Sequence, residues 1–242
     1  MSDAPPGRGT SVGRGDDVDW RLYLVTDPHL GGGRDAVPRI VYEAVLGGVG
    51  VIQVRDKECD DDEEFRRRAR AIADAARRAG AETGRHVPVF VNDRLDVARA
   101  LGLHLHIGQQ DMPFARARAA LPDELMLGLS IESDEQLAAA LAGPGPAPDV
   151  IGVSPVWSTT TKIDTAAALG PAGADRLARA AAGGGVRAVG IGGVTLANVA
   201  ELASTALDGV CVISAIMAAP DPRAAAADLL AGWGRGRDAA RR

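Results

Sequence analysis

Eight times between Tyr23 and Ile213 a short run rich in Val, Ile and Leu is followed by a turn and then by a helical pattern. Runs of this near-continuous apolar kind are what strands buried on both faces require, and helices between successive strands make those strands parallel. Strands are expected over residues 21–27, 49–55, 87–92, 103–108, 125–131, 150–156, 186–191 and 209–213. Helices are expected over 38–46, 60–80, 95–101, 114–121, 133–141, 171–182, 196–203 and 221–230. A single-domain α/β protein, a closed (β/α)8 TIM barrel, is the architecture this alternation predicts, with a doubly wound sheet as the alternative. The 242 residues are enough for one such domain.

Residues 1–19 are dominated by Gly, Pro, Arg and Asp and offer almost nothing to bury, so a disordered leader is expected there, a barrel over 20–232, and a solvated tail over 233–242. The Pro-rich stretch 143–149 reads as a loop insertion, because the alternation resumes directly after it. With aromatic residues at 3%, the core must be built from Ala, Val, Leu and Ile. A net charge of −5 without a basic stripe argues against a nucleic-acid surface. Cys59 and Cys211 stand far apart, which suggests neither a disulfide framework nor a zinc site. The chain shows no signal-peptide core and no long uncharged apolar span, so a soluble cytoplasmic protein without membrane contact is expected. Nothing in the sequence selects an oligomeric state, and a homo-oligomer remains open.

In a barrel the reactive groups leave the C-terminal ends of the strands. Asn92 and Asp93 follow the third expected strand and Asp111 follows the fourth, so the two aspartates should meet on one rim, where hard oxygen ligands suit Mg²⁺. The alternative is that each aspartate caps the helix it precedes. Gln53, Arg55 and Lys57 share one parity and should point into the barrel, with Ile52 and Val54 facing the helices. The two cations would form an anion site, or else a solvated strand end. Gly192 and Gly193 after the seventh strand, with Ser214 placed to cap a short helix after the eighth, suit a phosphate. The loop WSTTTKID adds the hydroxyls of Thr159, Thr160 and Thr161 and the ammonium of Lys162, a group suited to phosphate oxygens. His104 and His106 lie within a strand and read as core or supporting residues.

The segments LYLVTD, QVRDK, VNDRLDVA, HIGQQDMP, GLS, TTTK, AVGIGGV and VISAI occur in that order over nearly the whole ordered chain. Together the chain resembles the thiamine-phosphate synthase family, also called thiamine-phosphate pyrophosphorylase. The resemblance implies a (β/α)8 barrel that joins hydroxymethylpyrimidine diphosphate to hydroxyethylthiazole phosphate, giving thiamine phosphate and pyrophosphate with Mg²⁺ as cofactor. It implies that Gln53, Arg55, Lys57, Asn92, Ser130 and Lys162 hold the pyrimidine diphosphate, with Lys162, Arg55 and Ser130 as the catalytic set. Asp93 and Asp111 would hold Mg²⁺, and Thr159, Thr160, Thr161, Gly193, Ile213 and Ser214 the thiazole phosphate. Gln110, Ser158 and Ile163 depart from the usual family pattern. Two other functions compete: an isomerase resembling thiazole tautomerase on the same barrel, and a phosphate-ligand binding protein without catalysis.

Overall fold

Strands of four or five residues alternate with helices in the computed structural model, which describes residues 14–143, 145–158 and 167–242. The first half runs β1 (Leu22–Val25), α1 (Val37–Leu46), β2 (Val51–Val54), α2 (Asp62–Glu82), β3 (Val89–Asn92), α3 (Leu95–Leu101), β4 (His104–Ile107) and α4 (Phe114–Ala120). It continues through β5 (Leu127–Ile131), α5 (Asp134–Ala142), β6 (Val150–Val153), α6 (Gly170–Gly183), β7 (Arg187–Ile191), α7 (Val199–Leu202), β8 (Gly209–Val212), α8 (Ser214–Met217) and α9 (Pro222–Ala240). All neighbouring strands pair in parallel, and β1 pairs with both β2 and β8, so the sheet closes into an eight-stranded barrel.

Closure sorts the side chains by parity. Leu24, Ile52, Val54, Val91, Leu105 and Ile107 point outward into the shell shared with the helices. Tyr23, Val25, Val51, Phe90, Val150, Val189 and Cys211 point inward and fill the lower half of the barrel. Three of the eight aromatic residues, Trp20, Tyr23 and Phe90, meet there with ring centroids 5.8–6.3 Å apart. The other five aromatics, Tyr42, Phe65, Phe114, Trp157 and Trp233, pack in the outer shell, which is otherwise built mainly of Ala, Val, Leu and Ile.

Two helix starts follow from capping. Asp61 accepts from the backbone N–H groups of Glu63 and Glu64 ahead of α2, and Ser133 accepts from that of Gln136 ahead of α5. Helix α7 is shorter than the expected 196–203, because the Asn198 side chain accepts from Thr195 N–H (2.8 Å) and donates to Gly193 O (2.9 Å). These bonds hold the stretch before Val199 as a turn.

Both ends of the chain differ from the sequence expectation. Residues 14–19, expected to be disordered, form the floor of the barrel. Trp20 is buried and donates from Nε1 to Gly15 O (3.0 Å). Arg14 pairs with Asp149 at 2.9 Å, and Asp149 in turn accepts from Leu127 N–H (2.8 Å). A few polar residues are therefore ordered by an indole that seals the strand ends, and composition alone does not report that partner. At the other end, α9 continues past the expected 230 to Ala240 and includes most of the expected tail. Trp233 is buried, Arg237 stacks on its ring at 4.9 Å, and the same guanidinium donates to Thr205 O and Leu207 O. No helix among the described residues is long and apolar enough to cross a membrane.

Candidate active site

The C-terminal ends of the strands surround one cavity of about 210 Å³. Of the residues singled out from the sequence, Gln53, Arg55, Lys57, Asn92, Asp93, Asp111, Ser130, Gly193, Ile213 and Ser214 all line it. Thr159, Thr160, Thr161 and Lys162 lie outside the described residues.

From β2, Gln53 is buried and donates from Nε2 to Tyr23 Oη (3.0 Å), leaving its carbonyl oxygen without that bond. Arg55 follows on the same side of the chain, and its backbone N–H donates to the Thr26 hydroxyl (3.0 Å). Lys57 sits at the rim, and its ammonium lies 3.0 Å from Asp93 Oδ2. The inward parity expected for these residues is what the barrel shows. Both cations line the cavity wall, Arg55 half-buried and Lys57 exposed at its rim.

Asp93 is the one described non-glycine residue with positive φ, at 64°. Its N–H donates to His106 O (2.9 Å), which extends the β3–β4 ladder by one bond and turns the carboxylate over the cavity. Neither aspartate acts as a helix cap. Position Ncap of α3 is Arg94 and that of α4 is Pro113. The Asp111 carboxylate instead accepts from Gly108 N–H at 2.6 Å, within its own turn.

The two carboxylates lie close enough to shift each other's titration. Burial is the main cause that lifts the Asp93 pKa from 3.8 to about 6, and its hydrogen bond to Asp111 adds to it, against the pull of Lys57. Burial also works against Asp111, but the hydrogen bonds from Asp93 and Gly108 N–H outweigh it and hold Asp111 below the ordinary value. Asp93 Oδ1 is buried and has no hydrogen-bond partner among the described residues. Two neighbouring carboxylates, one with a buried oxygen left unpaired, are suited to a divalent cation. No group of three or more His, Cys, Asp or Glu side chains is placed to bind a metal among the described residues. A cation here would keep positions for water and for ligand oxygens, the usual condition of Mg²⁺.

Opposite this pair, Gly192 and Gly193 adopt φ of 106° and 68°. A Cβ at 193 would stand 2.9 Å from Trp157 Cβ, so only glycine lets this loop lie against the residues after β6. Ser214 is the first residue of α8. The capping position is Ile213, and Ser214 makes no side-chain cap bond, contrary to the expectation that it would cap.

Sequence reasoning missed His106 as a cavity residue. Its imidazole is buried, lines the cavity, and lies 3.1 Å by Nε2 from Ser130 Oγ. Burial lowers its pKa to about 4, so the ring is neutral. The register pairs Asn92 with His106, and the parity of β4 would have placed His106 inward as soon as Asn92 was placed there. His104, one turn of the pleat below, accepts from Met126 N–H (3.0 Å) and packs on Phe90, in keeping with the expected core role.

An eight-stranded parallel barrel whose mouth joins cations, a carboxylate pair and a glycine loop is of the class that handles phosphorylated small molecules at the strand ends. The family model for thiamine monophosphate synthase matches residues 22–216, and the chain belongs to that family. It is 48% identical over 224 residues to the thiamine biosynthesis multifunctional protein ThiED of Corynebacterium efficiens, covering 91% of this chain and 29% of that protein. The chain therefore spans under a third of that multifunctional relative. It is 40% identical to the thiamine-phosphate synthase of Laribacter hongkongensis, with 88% of this chain and 95% of the relative covered. The solved thiamine phosphate pyrophosphorylase from Pyrococcus furiosus superposes with a TM-score of 0.74 at 29% identity, over 91% of this chain and 98% of the other.

Proposed function

We propose that the chain is a thiamine-phosphate synthase, a transferase joining hydroxymethylpyrimidine diphosphate to hydroxyethylthiazole phosphate with release of pyrophosphate. The observation that carries this reading is the meeting of Lys57, Asp93 and Asp111 beside Arg55 in the cavity, a group fitted to a diphosphate and its cation. In the reaction the carbon–oxygen bond between the pyrimidine methylene and the diphosphate breaks, and the thiazole nitrogen supplies the pair that forms the new carbon–nitrogen bond. No proton has to be removed from the attacking nitrogen, so no protein nucleophile or general base is required.

The chain's task is to bind, orient and neutralise. Arg55 and Lys57 face the negative charge that builds on the departing pyrophosphate, and charge already aligned with that change lowers the barrier most. Gln53 and Asn92 hold the pyrimidine end, and the Gly193 loop with Ser214 holds the thiazole phosphate opposite. Asp93 and Asp111 would hold Mg²⁺, which when bound supplies positive charge to the diphosphate oxygens. Lys162 and the three threonines enter this reading from the family resemblance.

An isomerase acting on the thiazole alone would leave the carboxylate pair and Lys57 without a task, and so would a binding protein that used only the loops after β7 and β8. The test is to incubate purified protein with both substrates, with and without Mg²⁺, and to measure thiamine phosphate and pyrophosphate. Equal, Mg²⁺-dependent formation of both is expected. No thiamine phosphate under any condition would overturn the reading.

A further inference from the structure

His106 makes one side-chain hydrogen bond, to Ser130 Oγ at 3.1 Å, and its other ring nitrogen, Nδ1, is buried without a partner among the described residues. The ring fits where it does because one neighbouring residue has no side chain. A Cβ at Gly128 would stand 2.5 Å from Nδ1, whereas one at Gly152 would meet Cε1 at an ordinary contact distance of 3.5 Å. Gly128 is the register partner of His106 on β5, and Gly152 is that of Ser130 on β6. Glycine within a strand marks a close approach of another group, and here Gly128 opens the slot for the imidazole while Gly152 lines it. The imidazole is pressed into a pocket that dictates its orientation.

A neutral imidazole has one N–H donor and one lone-pair acceptor. If Nδ1 carried the proton, a donor would be buried against Gly128 with nothing to accept it, and buried N–H groups left unpaired are the rarer and costlier defect. With the proton on Nε2, the ring donates to Ser130 Oγ, and Nδ1 leaves only a lone pair unused. The consequence falls on Ser130. Its oxygen is occupied as an acceptor, so its own O–H is released to donate, and the side chain lines the cavity. The Ser130 carbonyl is tied separately, accepting from Gln109 Nε2 at 2.6 Å, so it does not compete for that proton.

We infer that His106 is a positioning residue that fixes the Ser130 hydroxyl as a hydrogen-bond donor to an acceptor atom of the pyrimidine diphosphate. This rests on the proposed activity. In the alternative arrangement Ser130 would spend its proton on His106 and meet the substrate with lone pairs only, which would repel an acceptor. The dyad thereby selects which edge of a ligand can dock against β5. The effect of His106 on turnover passes through that one hydroxyl.

The test compares two side chains at 106. Glutamine places an N–H near the position of Nε2, whereas asparagine ends short of Ser130. His106→Asn should lower kcat/KM for the pyrimidine diphosphate about tenfold, the worth of one ordinary hydrogen bond, and His106→Gln should recover it to within about threefold. Ser130→Ala should match His106→Asn, and the double variant should be no worse than Ser130→Ala alone, since both act through one group. Losses that multiply in the double variant, or equal losses for Gln and Asn, would overturn the inference. NMR of the ligand-free wild-type protein with isotope-labelled histidine decides the hydrogen bond directly, even if a variant fails to fold. A proton on Nε2 supports the inference, and a proton on Nδ1 overturns it. Because that measurement needs no turnover, absence of thiamine phosphate formation would count against the proposed activity alone.

Discussion

Replacing Asp93 with asparagine should make the metal-free protein more stable at neutral pH and nearly inactive. Asparagine suits the site's backbone, because it tolerates the positive φ of 64° that this residue adopts. The gain comes from relieving the carboxylate pair. A carboxyl whose pKa is lifted from 3.8 to about 6 on folding favours the fold below about pH 4 and loses that contribution as pH rises through 6. At about 1.4 kcal/mol for each pKa unit, the full cost above that window is at most about 3 kcal/mol. The Asp93 side chain is 23% exposed and Lys57 53%, so solvent screening and loss of the Lys57 pair reduce the net gain to about 1–2 kcal/mol. For a chain of this length that is a rise in Tm of about 2–8 °C. Thermal unfolding in chelator at about pH 8 reads it, and the advantage should shrink steadily towards about pH 4 as wild-type Asp93 takes up its proton. Adding Mg²⁺ at about a hundred times its Kd should stabilise the wild type by about 2.7 kcal/mol and the variant much less. A variant less stable than wild type at about pH 8 without metal, or an advantage independent of pH, would refute the picture of a carboxylate held at a cost by burial and by its neighbour Asp111.

Other perturbations probe the remaining parts of the site and the chain ends. Lys162→Ala should lower kcat about 10²-fold or more with a much smaller change in KM for the thiazole phosphate, as expected for a charge that meets the leaving group; unchanged kcat would make it an ordinary loop lysine. Ser214→Asp should weaken binding of thiazole phosphate in calorimetry while the pyrimidine diphosphate binds nearly as before, because the new carboxylate opposes a phosphate at that loop. Trp233→Ala should cost about 3–5 kcal/mol in denaturant unfolding, the usual penalty for emptying a buried aromatic site, whereas a solvated tail would make it silent.

The amino-acid sequence by itself determined the repeating βα unit, the number of strands and which residues of β2 face inward, because these depend on the local period of apolar residues. It also placed Asp93 and Asp111 near one another, since parallel strands bring their C-terminal ends to the same edge. Only the tertiary structure decided what those groups do. Whether an aspartate caps a helix or leans over a cavity depends on one backbone torsion at Asp93 and on Gly108 N–H, and both aspartates read alike as cap candidates in sequence. The slot for His106 is opened by Gly128 on the neighbouring strand, a residue that in sequence looks only like a weak strand position. Residues 14–19 and the last turns of α9 read as solvated because their own composition is polar and glycine-rich. They are ordered by Trp20 and Trp233, whose burial depends on surfaces that exist only after the barrel closes. Local pattern reports the period of the chain, whereas contacts between distant segments are set by register and closure.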